Sequence, residues 1–267
     1  MKIKKIGEFG LIGRMAARIK TDASVLRGIG DDAAVVRWTK DKHLLFTSDM
    51  LVEGRHFKKS APPYDVGRKA LACGISDIAA MGGIPKWALV SCCLSEKTGL
   101  RYADGLFSGI KKMADSFGVN IIGGDTVSSD RVVIDIALAG EVKKKNLTLR
   151  SAAREGDFIF VTGSLGGSIS GRHLHFTPRL KEAQALIRHF KINSMIDISD
   201  GLSSDLLHIT GASNAGAVIY EDLIPRSKGV RSVSAALNDG EDFELLFTIS
   251  KDEGARLLDK APGLLKA

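Results

Sequence analysis

The chain is poor in the features that mark several protein classes. Aromatic residues make up 6% of its 267 positions, too few for the stacking platforms that bind single-stranded nucleic acid. Its three cysteines, Cys73, Cys92 and Cys93, show no C-x-x-C spacing for a metal or a redox pair. They read as reduced thiols in a cytoplasmic protein. The basic start of the chain is followed by no apolar segment of signal-peptide length, and no run approaches the roughly 18 apolar residues that span a bilayer. Neither export nor a membrane partner is expected. No G-x-x-x-x-G-K-[ST] occurs, which excludes a P-loop. "GIGDDA" fits G-x-G-x-x-A, yet a strand pattern follows it where a dinucleotide site needs a helix.

Glycine, by contrast, is abundant at 29 residues, and Lys plus Arg exceeds Asp plus Glu to give a net charge of +7. The first implies many tight turns; the second gives a surface field that favours anionic ligands. Basic charge also allows a nucleic-acid-binding module, but no binding motif accompanies it, and no nucleic-acid partner is expected.

Apolar spacing predicts a helix over residues 7–20 and strands in "AAVVRW" and "HLLFTSD". A longer helix is predicted from Asp65 as N-cap to Met81, where "GG" supplies a left-handed stop. Then come a strand "KWALVSCCL", a helix from about Leu100 to Phe117, and strands "VNIIGGD" and "RVVIDIALAGEV". The basic stretch "KKKNLTLRSAAREGD" at 143–157 breaks the pattern. Beyond it "FIFVTG" and "FELLFTI" read as strands, and "RLKEAQALIRHF" and "SSDLLHIT" as helical. Strands mixed with helices without strict alternation predict an α+β protein of two mixed sheet-and-helix domains, 1–145 and 146–267.

One feature recurs: aspartate beside glycine or serine at a strand end or turn. It is seen at Asp31 and Asp32 in "GIGDD", Asp49 in "FTSD", Asp77 in "GISD", Asp125 in "IIGGD", and Asp197 and Asp200 in "IDISDG". Turn propensity explains any one of them; the set suggests carboxylates converging in space. Hard oxygen ligands without His or Cys suit magnesium, and several ions imply a heavily charged substrate, which fits phosphoryl transfer. "HLH" at His173 and His175 has no apparent third ligand and reads against a metal. "GSLGGSISG" at 163–171 could cradle a phosphate or be a flexible loop.

"GEFGLI", "GIGDDAAVV", "TSDMLVEGRHF", "KALACGISDIAAMGG", "IIGGDTV", "LRSAAREGDFIFVTG", "IDISDGLSSDL" and "DGEDFELLFTI" occur in this order over most of the chain. Together they resemble the thiamine-monophosphate kinase family, within the superfamily of aminoimidazole ribonucleotide synthase. The resemblance implies that superfamily's two-domain fold, with an N-terminal metal- and ATP-binding domain that forms a homodimer near strands such as "RVVIDIALAGEV". It implies ATP-dependent phosphorylation of thiamine phosphate to thiamine diphosphate with several magnesium ions. Carried over by position, Asp32, Asp49, Asp77, Asp125, Asp197 and Asp200 would hold those ions, with Thr47 and Ser48 supplying hydroxyl or backbone oxygens. Gly124, Asp125, Arg150 and Ser199 would contact ATP, while His56 and Glu241 would face the thiamine phosphate. Asp31, beside Asp32, would fix the glycine turn or hold a neighbouring group.

Two departures stand out. Family members usually continue well past the "GEDFELLF" strand, through a segment with an aromatic residue that packs on the thiamine rings, and the stretch between "VTGSLGGSISG" and "TPRLKEAQALI" is shorter here. Both concern the acceptor end and leave the magnesium and ATP motifs intact. They keep open another ATP-dependent reaction on the same scaffold, or a nucleotide-binding protein without an acceptor site. The reactive cysteine expected near the N-terminus of selenophosphate synthetase, or at the C-terminus of the hydrogenase-maturation dehydratase, is missing.

Overall fold

Residues 133–142 alternate half-buried and buried side chains, the period-two pattern of a strand with one covered face. In the computed structural model, which describes residues 3–264, this segment is central to a large sheet. The elements of the first half are α1 (Gly7–Ala16), β1 (Val25–Arg27), β2 (Ala34–Arg37), β3 (Lys42–Val52), α2 (Pro63–Ala80), β4 (Ile84–Leu94), α3 (Leu100–Phe117), β5 (Asn120–Ser128) and β6 (Val133–Lys143). After the basic stretch follow β7 (Phe158–Val161), α4 (Leu180–His189), β8 (Ile192–Asp197), α5 (Leu202–Ser213), α6 (Val233–Asn238), β9 (Leu245–Ile249) and α7 (Lys251–Leu264).

The first sheet has six strands in the order β1-β2-β3-β6-β4-β5, antiparallel except for the parallel β4–β5 pair. Helices α2 and α3 cover one face, and their apolar side chains fill the core with Leu45, Ile134, Ile136 and Leu138. The two helices meet backbone to backbone: a Cβ on Gly67 would lie 2.0 Å from the Leu106 carbonyl oxygen, and one on Gly109 would lie 1.9 Å from that of Tyr64. Only glycine permits that approach. The opposite face is uncovered and leaves Phe46, Met50, Leu89 and Val127 exposed.

The second sheet is antiparallel, in the order β7-β9-β8. The C-terminal end of α2 packs against it, with Ala79 and Ala80 buried among Met195, Leu245 and Phe247. Helix α2 therefore touches both sheets, and the side chains along one of its faces look into the seam between them.

Most expected elements form close to their expected bounds, and α3 ends where glycine at 118 takes a left-handed conformation. Three details differ. Helix α2 starts at Pro63 with Pro62 as its cap, so Asp65 lies in the first turn, where its charge complements the helix dipole. Helix α1 stops at Ala16, and its stripe is not core: Phe9, Ile12 and Met15 remain exposed. Strand β8 is an additional strand whose end carries Asp197. Among the described residues no helix is long and apolar enough to cross a membrane.

Candidate active site

Four aspartates meet from four segments at the seam. Asp32 lies in the turn before β2, Asp49 on the covered face of β3, Asp77 on α2 and Asp197 at the end of β8. Carboxylate oxygens of Asp32, Asp77 and Asp197 lie within 4.8 Å of one another, and Asp49 adjoins Asp77. Two hydroxyls orient the group: Thr47 donates to Asp77 Oδ2 at 2.5 Å, and Ser76 donates to Asp197 Oδ2 at 2.6 Å. Thr47 stands two residues from Asp49 on the same strand face, as the strand period requires.

Among the described residues a single cation, Arg150, pairs with this cluster. Arg150 Nη2 donates to Asp32 Oδ1 at 2.7 Å, which leaves Asp32 Oδ2 and Asp49 Oδ2 buried without a hydrogen-bond partner. Burial, and after it mutual repulsion, pushes the carboxyls upward: Asp49 to about 7, Asp197 to about 6, and Asp32 and Asp77 well above the usual range. Unpartnered buried carboxylate oxygens cost free energy unless something binds them. The donors here are all oxygens, which suits a hard divalent cation such as magnesium. Cys73, one helical turn before Asp77, borders the pocket, but burial raises its thiol well above the usual value, so it serves as a neutral wall.

The neighbouring Asp31 faces elsewhere. Its Oδ1 accepts the backbone N–H of Arg150 at 3.2 Å and that of Asp32 at 3.3 Å, so it braces the glycine turn and the segment carrying Arg150.

A second group lies along the same helix. His56 Nδ1 accepts the Val52 backbone N–H at 2.9 Å, which places the ring proton on Nε2 as a donor. Burial lowers the His56 pKa, so the neutral ring is favoured. Glu241 pairs with Lys69, a residue of α2, and adjoins His173. Burial alone would raise the Glu241 carboxyl, but its contacts with His173 and Lys69 outweigh that and lower it.

Asp200 lies exposed at the rim, where its carboxylate, that of Asp205 and the ring of His208 fall within 4.8 Å of one another. Asp205 is buried and accepts the backbone N–H groups of Asp200 and Gly201, both at 3.1 Å; burial, with repulsion from Asp197 and Asp200, lifts it to about 8. Ser199 is exposed on the same turn, and its carbonyl accepts the Glu241 N–H at 2.7 Å.

Other expected residues are not brought into the pocket within this chain. The Ser48 hydroxyl is on the uncovered face of β3 and donates to Asp135 at 2.9 Å. Gly124 and Asp125 lie on the exposed edge strand β5; Asp125 pairs in register with Ser91, and a Cβ on Gly124 would lie 1.7 Å from the Val90 carbonyl oxygen. In the 163–171 loop, the amides of the central glycine pair are already engaged by carboxylates. Gly166 N–H donates to Asp242 at 2.8 Å and Gly167 N–H to Asp239 at 2.9 Å.

Residues 30–142 match the family model "AIR synthase related protein, N-terminal domain", and residues 154–263 match "AIR synthase related protein, C-terminal domain". A thiamine-monophosphate kinase of Buchnera aphidicola (subsp. Acyrthosiphon pisum) is 38% identical over 92% of this chain and 84% of its own length. One from Aquifex aeolicus is 33% identical over 97% of this chain and 91% of its own. The chain belongs to the thiamine-monophosphate kinase family. A solved structure described as "AaThiL complexed with AMPPCP and TMP" superposes with a TM-score of 0.87 at 33% identity, covering 95% of this chain and 88% of that one. Crystalline thiamine monophosphate kinase from Aquifex aeolicus gives 0.81 at 30% identity, covering 94% and 90%.

The family's sequence motifs point to the acidic residues at the mouth of the seam and pass over Ser76, Lys69 and Asp205. Ser76 precedes Asp77 in "GISD", where its hydroxyl reads as a helix-interior side chain. Lys69 stands in a helix among apolar residues, where a charged side chain ordinarily lies on the solvent face. The available signal was its spacing of eight residues from Asp77, which puts both on one helix face.

Proposed function

We propose that this chain transfers the γ-phosphoryl group of ATP to the phosphate of thiamine monophosphate, with magnesium held by its aspartates. The observation that supports this best is the convergence of Asp32, Asp49, Asp77 and Asp197 on one buried pocket in which two carboxylate oxygens lack any partner. Bound magnesium would neutralise the phosphates and align them for in-line displacement. Thr47 and Ser76 fix the rotamers of Asp77 and Asp197, so the oxygen donors are positioned before substrate arrives. Arg150 offers a planar guanidinium toward ATP from its place beside Asp32. Asp200 and Ser199 serve at the rim, and His56 Nε2–H donates to the acceptor phosphate. That acceptor is already nucleophilic, so positioning replaces a strong general base. Glu241 faces the remainder of the acceptor.

Ser48, Gly124 and Asp125 enter this reading through assembly. The uncovered face of the first sheet, with Phe46, Met50, Leu89 and Val127 exposed, supports a homodimer formed through the N-terminal unit. Asp125 and Val127 share that face, so dimerisation would move Asp125 out of solvent. The two units divide in the linker after residue 145. Light scattering that gave the mass of a monomer would remove this part of the proposal.

The reading is tested with purified protein, ATP, thiamine phosphate and excess magnesium. Thiamine diphosphate should form, and chelation should abolish it. Product no greater than that from Asp77→Asn would sink the assignment.

A further inference from the structure

Lys69 lies two turns before Asp77 on α2, and its side chain has 0% solvent exposure. A lysine buried this fully needs partners for all its donors. Three acceptors surround Nζ: the His56 carbonyl oxygen at 2.9 Å, His173 Nδ1 at 3.0 Å and the Glu241 carboxylate. An ammonium group has three N–H donors, so each acceptor is served. His173 Nδ1 also lies 3.3 Å from Glu241 Oε2, so lysine, imidazole and carboxylate form one buried cluster.

The three acceptors come from three separate segments. His56 follows β3 in the first sheet; His173 lies in a helical turn at Arg172–Leu174; Glu241 lies in the loop before β9 in the second sheet. That last loop is the strained one. Glu241 and Phe243 both adopt left-handed conformations, at φ 56° and 51°, which non-glycine residues keep only when their surroundings over-determine them. Backbone bonds from Glu241 to Ser199 and from Phe243 to Ile198, both 2.7 Å, hold the main chain, and the Phe243 ring stacks on Phe176 at 4.0 Å. Lys69 holds the side chain. It engages Glu241 Oε2 and leaves Oε1 with no hydrogen-bond partner among the described residues.

We propose that Lys69 is a positioning residue for the acceptor end of the site, locking His56 and Glu241 into one geometry across the seam. Lys69 hydrogen-bonds none of the aspartates, so its effect is confined to the acceptor. Oε1 of Glu241, fixed in this way, is a carboxylate oxygen held for a cationic or amine-bearing heterocycle. The inference rests on the assignment of His56 and Glu241 to the thiamine phosphate side.

The test is steady-state kinetics with both substrates varied, on wild type, Lys69→Met, Lys69→Arg, Glu241→Leu and the double variant Lys69→Met/Glu241→Leu. Lys69→Met should raise KM for thiamine phosphate about tenfold or more and leave KM for ATP within about twofold, with Lys69→Arg recovering part of the loss. The double variant removes both buried charges and so avoids an uncompensated one; its KM for thiamine phosphate should exceed that of Glu241→Leu by a smaller factor than Lys69→Met produces in wild type, because only the His56 contact is then left to lose. Equal rises in both KM values, or a fall in kcat with both KM values unchanged, would show a merely structural lysine and overturn the inference. If Lys69→Met does not fold, a double variant that raises KM for ATP as much as KM for thiamine phosphate over Glu241→Leu overturns it equally. Wild type inactive on thiamine phosphate removes the functional assignment and this inference together, whereas active wild type with either contrary kinetic pattern removes the inference alone.

Discussion

Two sets of buried carboxylates sit on either side of the seam, and they are handled in opposite ways. In the C-terminal unit, Glu244 receives Arg179 Nη2 on Oε1 at 2.6 Å, and Arg179 Nε at 2.7 Å with Thr162 at 2.8 Å on Oε2. Asp242 beside it accepts Arg172 at 2.5 Å and the Gly166 N–H at 2.8 Å. Every oxygen of that pair is occupied. At the seam, Asp32, Asp49, Asp77 and Asp197 share one guanidinium and two hydroxyls, and two of their oxygens are bare. A carboxylate whose partners are all supplied by the protein fixes the fold; one left short of partners is poised for a cation the protein does not itself provide.

The largest expected effect lies in the unpaired set. Asp77→Asn removes a charge at the centre of the pocket and keeps its shape, so turnover should fall about ten-thousandfold, equivalent to about 5 kcal/mol of transition-state stabilisation. The melting temperature without magnesium should hold or rise, because a repelling charge is gone. Kinetics and thermal unfolding of the same preparation check both halves. A variant that lost stability and kept its turnover would place Asp77 with Glu244 and break the comparison.

The paired set should respond in the reverse sense. Arg179→Met leaves the buried Glu244 with the Thr162 hydroxyl and, as a counter-charge, only the more distant Arg172 at 4.0 Å, a loss of about 3 kcal/mol of folding stability. Chemical denaturation measures it, and turnover per folded molecule should be unchanged. An unchanged midpoint would mean that Arg172 moves in to replace Arg179.

The sequence shows the unpaired set more clearly than the paired one, for a physical reason. Asp32 and Asp197 stand within the short glycine- or serine-containing stretches "GIGDD" and "IDISDG" at a turn and a strand end, where carboxylates advertise loop chemistry, and Asp77 follows Ser76 in "GISD", although that segment is the interior of α2. Glu244 lies in "GEDFEL", which reads equally well as a solvated turn; its partner Arg179 is 65 residues away and brought near only by the second sheet. Asp125 shows the limit from the other direction. Its motif is among the most recognisable in the chain, yet motif and spacing are silent on the strand face that carries it, and β5 turns it away from Asp77. Lys69 was hidden because burial inverts the usual meaning of a helical lysine. The order of the strands in both sheets likewise depends on crossovers that local patterns do not encode; only α3, bounded by glycine at both ends, could be read to its termini.

The smallest effect separates the two sets by pH. Without a bound cation Asp49 is held at about 7 and Asp197 at about 6, against an ordinary 3.8. The folded state therefore binds these protons more tightly than the unfolded chain does. The stability this contributes is complete below about pH 4 and is lost as pH rises through about 6 to 7. Asp49→Asn cannot ionise and escapes that loss. In chelator, the variant should gain on wild type steadily from about pH 4 and level off above about pH 7. Saturating magnesium should reverse the order, because wild type then gains binding free energy that the variant has partly forfeited. Denaturation series at several pH values, with and without the ion, read both trends. A difference that stayed constant with pH in chelator would mean that Asp49 already has a full set of protein partners, as Glu244 does, and the unpaired oxygen at the seam would no longer argue for a cation.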